Sequence, residues 1–329
     1  MTLASSAPTR IDLAGGTIDI WPLYLFHEGA QTVNAAISLR AHALLEARND
    51  DRVVIRSTDT GRVTEADHWS SLVKPGDMNL LARLLAYFRA GGLTLTTRAE
   101  SPAGAGIAGS SALNVAVCGA MARWNNLDIA AEDLLQIAMN VEAQAIECPT
   151  GAQDYRPAMY GGVSAVELGI AGVRRVALSV DPRDLERRIV LAYTGAPRNS
   201  GTNNWEMVKR HLDNDRAVFD SFERIRDTAV AMRQAFERED WDEVGRQIAT
   251  EWENRKRLAP GVTTPQIDDL IARAGRAGAS AAKVCGAGGG GCLFCYGPPA
   301  DRDRVRDALH AGGAAILDFY IDTDGLRFA

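Results

Sequence analysis

The sequence predicts an α+β protein of two domains. Three observations lead there. At 329 residues the chain exceeds one average domain and suits two. Its first half mixes strand-like and helix-like stretches, whereas its second half is dominated by helical spacing. Two glycine-rich runs, at residues 104–109 and 286–291, each follow a strand-like piece and read as tight connections.

The elements follow in order. Residues 5–13, 31–47 and 52–57 read as strands, because their alternating or β-branched apolar residues suit a sheet with one buried face. Residues 79–90 read as a helix with the stripe Leu80, Leu81, Leu84, Leu85 and Phe88, stopped by Gly91-Gly92. A strand over 93–100 and a helix over 110–124 flank the first glycine run. Another helix runs from 128 or 130 to 146, with Pro149 just beyond it, and residues 160–168 and 189–193 read as strands. Helical spacing then covers 203–239, 241–258 and 264–277, with Pro260-Gly261 separating the last two. Strands over 280–285 and 292–296 flank the second glycine run, and a helix over 300–310 and a strand over 314–321 close the chain. Asp181-Pro182 and a charged stretch interrupt the pattern, which divides the chain into 1–183 and 184–329.

Composition narrows the function. A net charge of −6 argues against a nucleic-acid partner bound through a broad basic surface. Arg174-Arg175 and Arg187-Arg188 read as solvated faces. No apolar run has the length of a membrane span, and the N-terminus shows no secretion signal, so a cytoplasmic protein is expected. Five cysteines do not suggest a disulfide framework. Cys292 and Cys295 form a C-x-x-C, but Leu293 and Phe294 between them favour an apolar strand over a metal or redox site. The five histidines show no metal-ligand spacing, and Trp205, Trp241 and Trp252 fall on helical stretches as core candidates.

The run from Pro102 to Ala112 carries the strongest chemical signal. Glycine lets backbone N–H groups turn inward, and a helix start adds unpaired donors and the positive end of a dipole. Together they form a phosphate cradle, to which Ser110 and Ser111 can add hydroxyls for phosphate or Mg²⁺. A tight loop packing a helix on a strand has the same composition. No lysine precedes the serine pair, so this is not a P-loop. Gly104, Gly106 and Gly109 spell G-x-G-x-x-G, but the acid at the expected distance, Asp128, follows a helix rather than a strand. Phosphoryl transfer also needs a carboxylate for the metal and one near the acceptor hydroxyl. Glu142, on a helix, and Asp154, after the turn formers Pro149 and Gly151, can converge on one cleft; Glu147 competes for the metal role.

Three segments in order, Ala7 to Asp19, Pro102 to Ala112 and Lys283 to Cys292, resemble the three motifs of the GHMP kinases. The resemblance spans nearly the whole chain. It implies an N-terminal domain like ribosomal protein S5 domain 2, a ferredoxin-like C-terminal domain, and an active site in the cleft between them. It implies an ATP- and Mg²⁺-dependent phosphotransferase. Asp154 would be the base and Arg10 would stabilise developing charge, although Arg10 can also simply pair with Asp12 or Asp154. The nucleotide would lie on Pro102, Gly104, Gly106, Ile107, Ala108, Gly109, Ser110 and Ser111, with Mg²⁺ held by Glu142 and one of the two serines. Asp19, Gly16, Thr17, Arg198 and Gly288 would meet the acceptor, and Lys283 would steady the loop or a nearby acid. Gly15-Gly16-Thr17 departs from the Gly-Glu-His of galactokinases. Leu13 to Asp19 and Tyr193 to Ser200 look closer to the heptose 7-phosphate kinase and fucokinase branch. The implied reaction is phosphorylation of a sugar or sugar phosphate, at an anomeric hydroxyl, by a monomer or homodimer. The alternatives are a kinase of a non-sugar alcohol and a non-catalytic sensor of sugar and nucleotide.

Overall fold

The structure, a computed structural model, describes residues 1–72, 78–197 and 200–329, with residues 200–203 described in backbone only. Twelve strands lie in two sheets among the described residues. The first sheet contains β1 (Thr2–Ala14), β2 (Gln31–Ala47), β3 (Val53–Ser57), β4 (Arg62–Ala66), β5 (Leu93–Ala99), β6 (Val163–Gly169) and β7 (Gly172–Ala177). The second contains β8 (Ile189–Tyr193), β9 (Ala281–Val284), β10 (Cys292–Tyr296) and β11 (Ala315–Leu317), in the order β11-β8-β10-β9 and antiparallel throughout. The last strand, β12 (Arg327–Phe328), returns to pair with β1.

β2 organises the first sheet. One edge pairs along its length with β1, while the other pairs with β6 over residues 31–35 and with β5 over residues 41–47. The β1–β2 register slips between Pro8 and Thr9 and again between Asp12 and Ala14. These irregularities bracket Arg10 and Asp12; such bulges bend a strand and re-aim its side chains.

Ten α-helices complete the described fold. They are α1 (Asn79–Tyr87), α2 (Gly109–Trp124), α3 (Ala131–Ile146), α4 (Tyr155–Tyr160), α5 (Pro182–Glu186), α6 (Ser200–Leu212), α7 (Arg216–Glu237), α8 (Trp241–Arg255), α9 (Pro265–Arg276) and α10 (Arg302–Ala311). α1 to α4 pack with the first sheet around Leu45, Leu85, Leu95, Val115 and Met121. α7 and α8 pack on each other and reach both sheets, α7 against β1 and β2, α8 against β1 and β9.

The helix expected over 203–239 is two helices. Asn214 takes a left-handed φ of 61°, and the Asp215 side chain caps α7 by accepting from Ala217 N–H at 3.1 Å. The strand expected over 160–168 is the end of α4 followed by β6, and β4 and β7 were not expected. Of residues 314–321 only 315–317 pair as a strand; Ile321 makes an isolated bridge to Ile37. Trp252 is buried as expected, but Trp205 is half exposed.

Candidate active site

The first glycine run links β5 to α2. Gly104, Gly106 and Ala108 all have left-handed φ values, 68°, 79° and 63°. Ala108 tolerates this at the N-cap of α2, where no side chain caps the helix. The first-turn amides are therefore left for solvent or an anion. The second glycine run buttresses this loop. Cys292 N–H donates to Ala105 O at 2.6 Å, and a Cβ on Gly291 would sit 2.6 Å from that same oxygen. With φ at +78° as well, only glycine fits position 291.

Glu142 reaches the start of α2 from α3. Its carboxylate accepts from Ser110 Oγ at 2.5 Å, Ser111 Oγ at 3.1 Å and Tyr155 Oη at 2.6 Å. Burial pushes its pKa up, against the pull of these hydroxyls. Both serines line the cleft, Ser110 exposed and Ser111 buried. Glu147 is exposed at the end of α3 and is absent from the cleft wall. Among the described residues no group of three or more His, Cys, Asp or Glu is arranged to hold a metal by itself. A buried carboxylate beside an exposed hydroxyl is a hard-oxygen pair suited to Mg²⁺, which takes its remaining ligands from phosphates and water.

The other end of the cleft is built on Arg10. Its backbone N–H donates to Ile107 O at 3.0 Å and its Nη1 to Gly106 O at 2.9 Å. Its Nε and Nη2 both reach Asp154 Oδ1, at 2.9 and 2.7 Å. One buried guanidinium thus ties the glycine loop to Asp154, which is the residue preceding α4. Asp19 lies alongside, accepting from Gln153 N–H at 2.9 Å. Burial first, and then the neighbouring Asp154, raises the Asp19 carboxyl to about 6. Gly151 allows this approach: a Cβ there would meet Asp19 Oδ2 at 2.1 Å.

Beneath lies a cluster of buried charges. Lys283 Nζ bonds Asp12 at 3.3 Å and Glu251 at 3.4 Å. Asp12 accepts from Gly286 N–H at 2.9 Å, and Arg255 Nη2 donates to Thr17 Oγ1 and Gly286 O at 2.8 and 2.7 Å. Three basic neighbours, led by Lys283, hold the Asp12 carboxyl down at about 2 despite its burial. Lys283 therefore braces the loops from below.

A cleft of about 400 Å³ joins these parts. Its wall includes Arg10, Thr17, Asp19, Pro102, Gly104, Gly106, Ala108, Gly109, Ser110, Ser111, Glu142 and Asp154. Three sequence candidates lie off this wall. Ile107 is fully buried, with its carbonyl taken by Arg10. Gly16 packs on the Arg255 guanidinium, and Gly288 packs on Val262. Arg198 lies outside the described residues. The wall also includes Gln153, Asn204 and Arg255, which the sequence did not single out. The Glu251-x-x-x-Arg255 spacing was the available signal for Arg255, but it reads equally as a surface ion pair.

Residues 78–162 match the GHMP kinases N terminal domain and residues 232–315 match GHMP kinases C terminal. A D-glycero-alpha-D-manno-heptose 7-phosphate kinase from Campylobacter jejuni is 27% identical, over 99% of this chain and 98% of its own length. A mevalonate kinase from Thermococcus sibiricus is 26% identical, over 99% of this chain and 98% of its own. The crystal structure of a D-glycero-D-manno-heptose 1-phosphate kinase from Bacteroides thetaiotaomicron superposes with a TM-score of 0.81 at 25% identity, covering 99% of this chain and 98% of that one.

Proposed function

The chain belongs to the GHMP kinases, and we propose that it transfers the terminal phosphoryl group of ATP to a hydroxyl, the anomeric one, of a sugar or sugar phosphate. The observation that carries this reading is the Arg10 bridge between Gly106 and Asp154. It sets a phosphate-binding loop and a carboxylate within one side chain of each other.

In this mechanism the amides at the start of α2 and of the glycine loop grip the phosphates. ATP, when bound, supplies the phosphoryl group; Glu142 and Ser110 would hold Mg²⁺, which would supply charge neutralisation on the phosphates. Asp154 Oδ1 is taken by Arg10, which leaves Oδ2 to draw the acceptor proton. The acceptor oxygen then bonds to phosphorus as the bond to the departing ADP breaks. Arg10 offsets charge at that point, and Asp19 accepts hydrogen bonds from neighbouring hydroxyls. Thr17 and Gln153 complete this polar wall.

The polar wall favours a sugar over mevalonate-like acceptors, whose own carboxylate would face Asp19. A chain division at 1–183 and 184–329 is supported by the change of sheet between β7 and β8, with β12 as a return strand. No described helix is long and apolar enough to cross a membrane. A cytoplasmic monomer or homodimer, using cytoplasmic ATP, is part of the same reading.

The test is a panel of hexoses, heptoses, their phosphates, mevalonate and homoserine, each with ATP and Mg²⁺. Acceptor-dependent ADP release is expected with a sugar. Release with mevalonate alone would transfer the reading to a non-sugar alcohol, and nucleotide binding without release on any acceptor would favour a sensor.

A further inference from the structure

A second cavity, of about 590 Å³, shares Asp19, Pro149 and Thr150 with the cleft. Of the residues assigned to phosphoryl transfer and acceptor binding, only Asp19 lines it. Its size suits a small-molecule subsite.

Its charge selects what enters. Asp19, Glu132 and Asp133 line it against a single cation, Arg156. That cation is committed: Nη2 donates to Glu132 at 2.6 Å and Nη1 to Ala152 O at 2.9 Å. Arg156 is only 7% exposed, and its buried Nε lacks a partner. A phosphate placed here would face Asp19 and Asp133 with no uncommitted cation on the wall. The rest of the lining is of another kind. Trp21, 65% exposed, and Tyr24 offer ring faces. Gln136 and Asn140 offer amides, hydrogen-bonded to each other at 3.0 Å. Ring faces with amide and carboxylate edges match the C–H faces and hydroxyl rims of a carbohydrate.

We propose that this cavity is a subsite for an uncharged, hydroxyl-rich portion of the acceptor, reached past Asp19, and that it rejects a phosphate at that end. The proposal rests on the sugar-kinase reading of the cleft.

Calorimetric titration without ATP tests it, using a free heptose and the same sugar carrying a terminal phosphate. Ala143→Phe narrows the cavity without touching the cleft. It is expected to weaken the free sugar about tenfold and to leave ATP affinity unchanged. Trp21→Ala, at an exposed position, is expected to weaken it in the same direction and serves if Ala143→Phe fails to fold. Asp133→Asn is expected to strengthen binding of the phosphorylated sugar about tenfold, with the free sugar little changed. Free-sugar binding indifferent to Ala143→Phe and Trp21→Ala, or phosphorylated-sugar binding indifferent to Asp133→Asn, overturns the subsite. If sugars also turn over in that case, the kinase reading stands alone. If ATP binds and no sugar does, both fall.

Discussion

Arg10 Nε donates to one oxygen of Asp154 at 2.9 Å, its Nη2 lies 2.7 Å from that same oxygen, and the other oxygen of the carboxylate is left to the cleft. The guanidinium is fully buried, while the Asp154 side chain is about one-fifth exposed. A rigid fork on one side and an open lone pair on the other orient the carboxylate proposed as the base without consuming it.

Asp154→Asn therefore keeps the Arg10 contact through its amide oxygen and loses the proton acceptor. Turnover is expected to fall by about 10²–10⁴ with nucleotide binding retained. Steady-state kinetics with nucleotide titration check this; unchanged turnover removes Asp154 as base.

Gly151 tests the acceptor grip separately. In Gly151→Ala the new Cβ, at 2.1 Å from Asp19 Oδ2, must displace that carboxylate. KM for the acceptor is expected to rise while KM for ATP stays within about twofold. A joint rise in both constants would mean that the loop, not Asp19, had moved.

Asp19 also sets a pH dependence. Its carboxyl lies at about 6 in the fold against an ordinary 3.8. A raised carboxyl adds stability below its unfolded value, and that contribution is lost as pH rises through the folded value. Asp19→Asn removes this term. Its Tm relative to the parent protein is therefore expected to increase from pH 4 to pH 7, read by thermal melts across that range. A difference in Tm that stays flat with pH contradicts the assignment. In the parent protein, acceptor KM is expected to rise as pH falls below about 6, because the grip on hydroxyls needs the ionised form.

The charge cluster under the loops carries a stability prediction. Lys283→Met leaves Asp12 and Glu251 buried without their shared ammonium. The expected loss is about 3–5 kcal/mol, measurable by denaturant unfolding. A near-neutral result would show that Arg255 and Arg10 suffice for both acids.

The sequence by itself determined the glycine turn between β5 and α2, the placing of Glu142 on a helix and Asp154 after a turn, and most of the strand inventory. Those signals are local: glycines at fixed offsets, Pro149 and Gly151 bracketing a turn, apolar residues at period two or near 3.6. The break between α6 and α7 hid because Asp213, Asn214 and Asp215 interrupt an otherwise continuous helical stripe by only one turn. Tertiary structure alone decided that Ser110 is exposed and Ser111 buried on the same cleft wall, and that Glu147 stands outside it. It alone brought Arg255 to Thr17 across 238 positions and Lys283 to Asp12 across 271. The reason is physical. A glycine or proline constrains its own backbone, but a charged side chain gains a role only from the partner that burial places beside it.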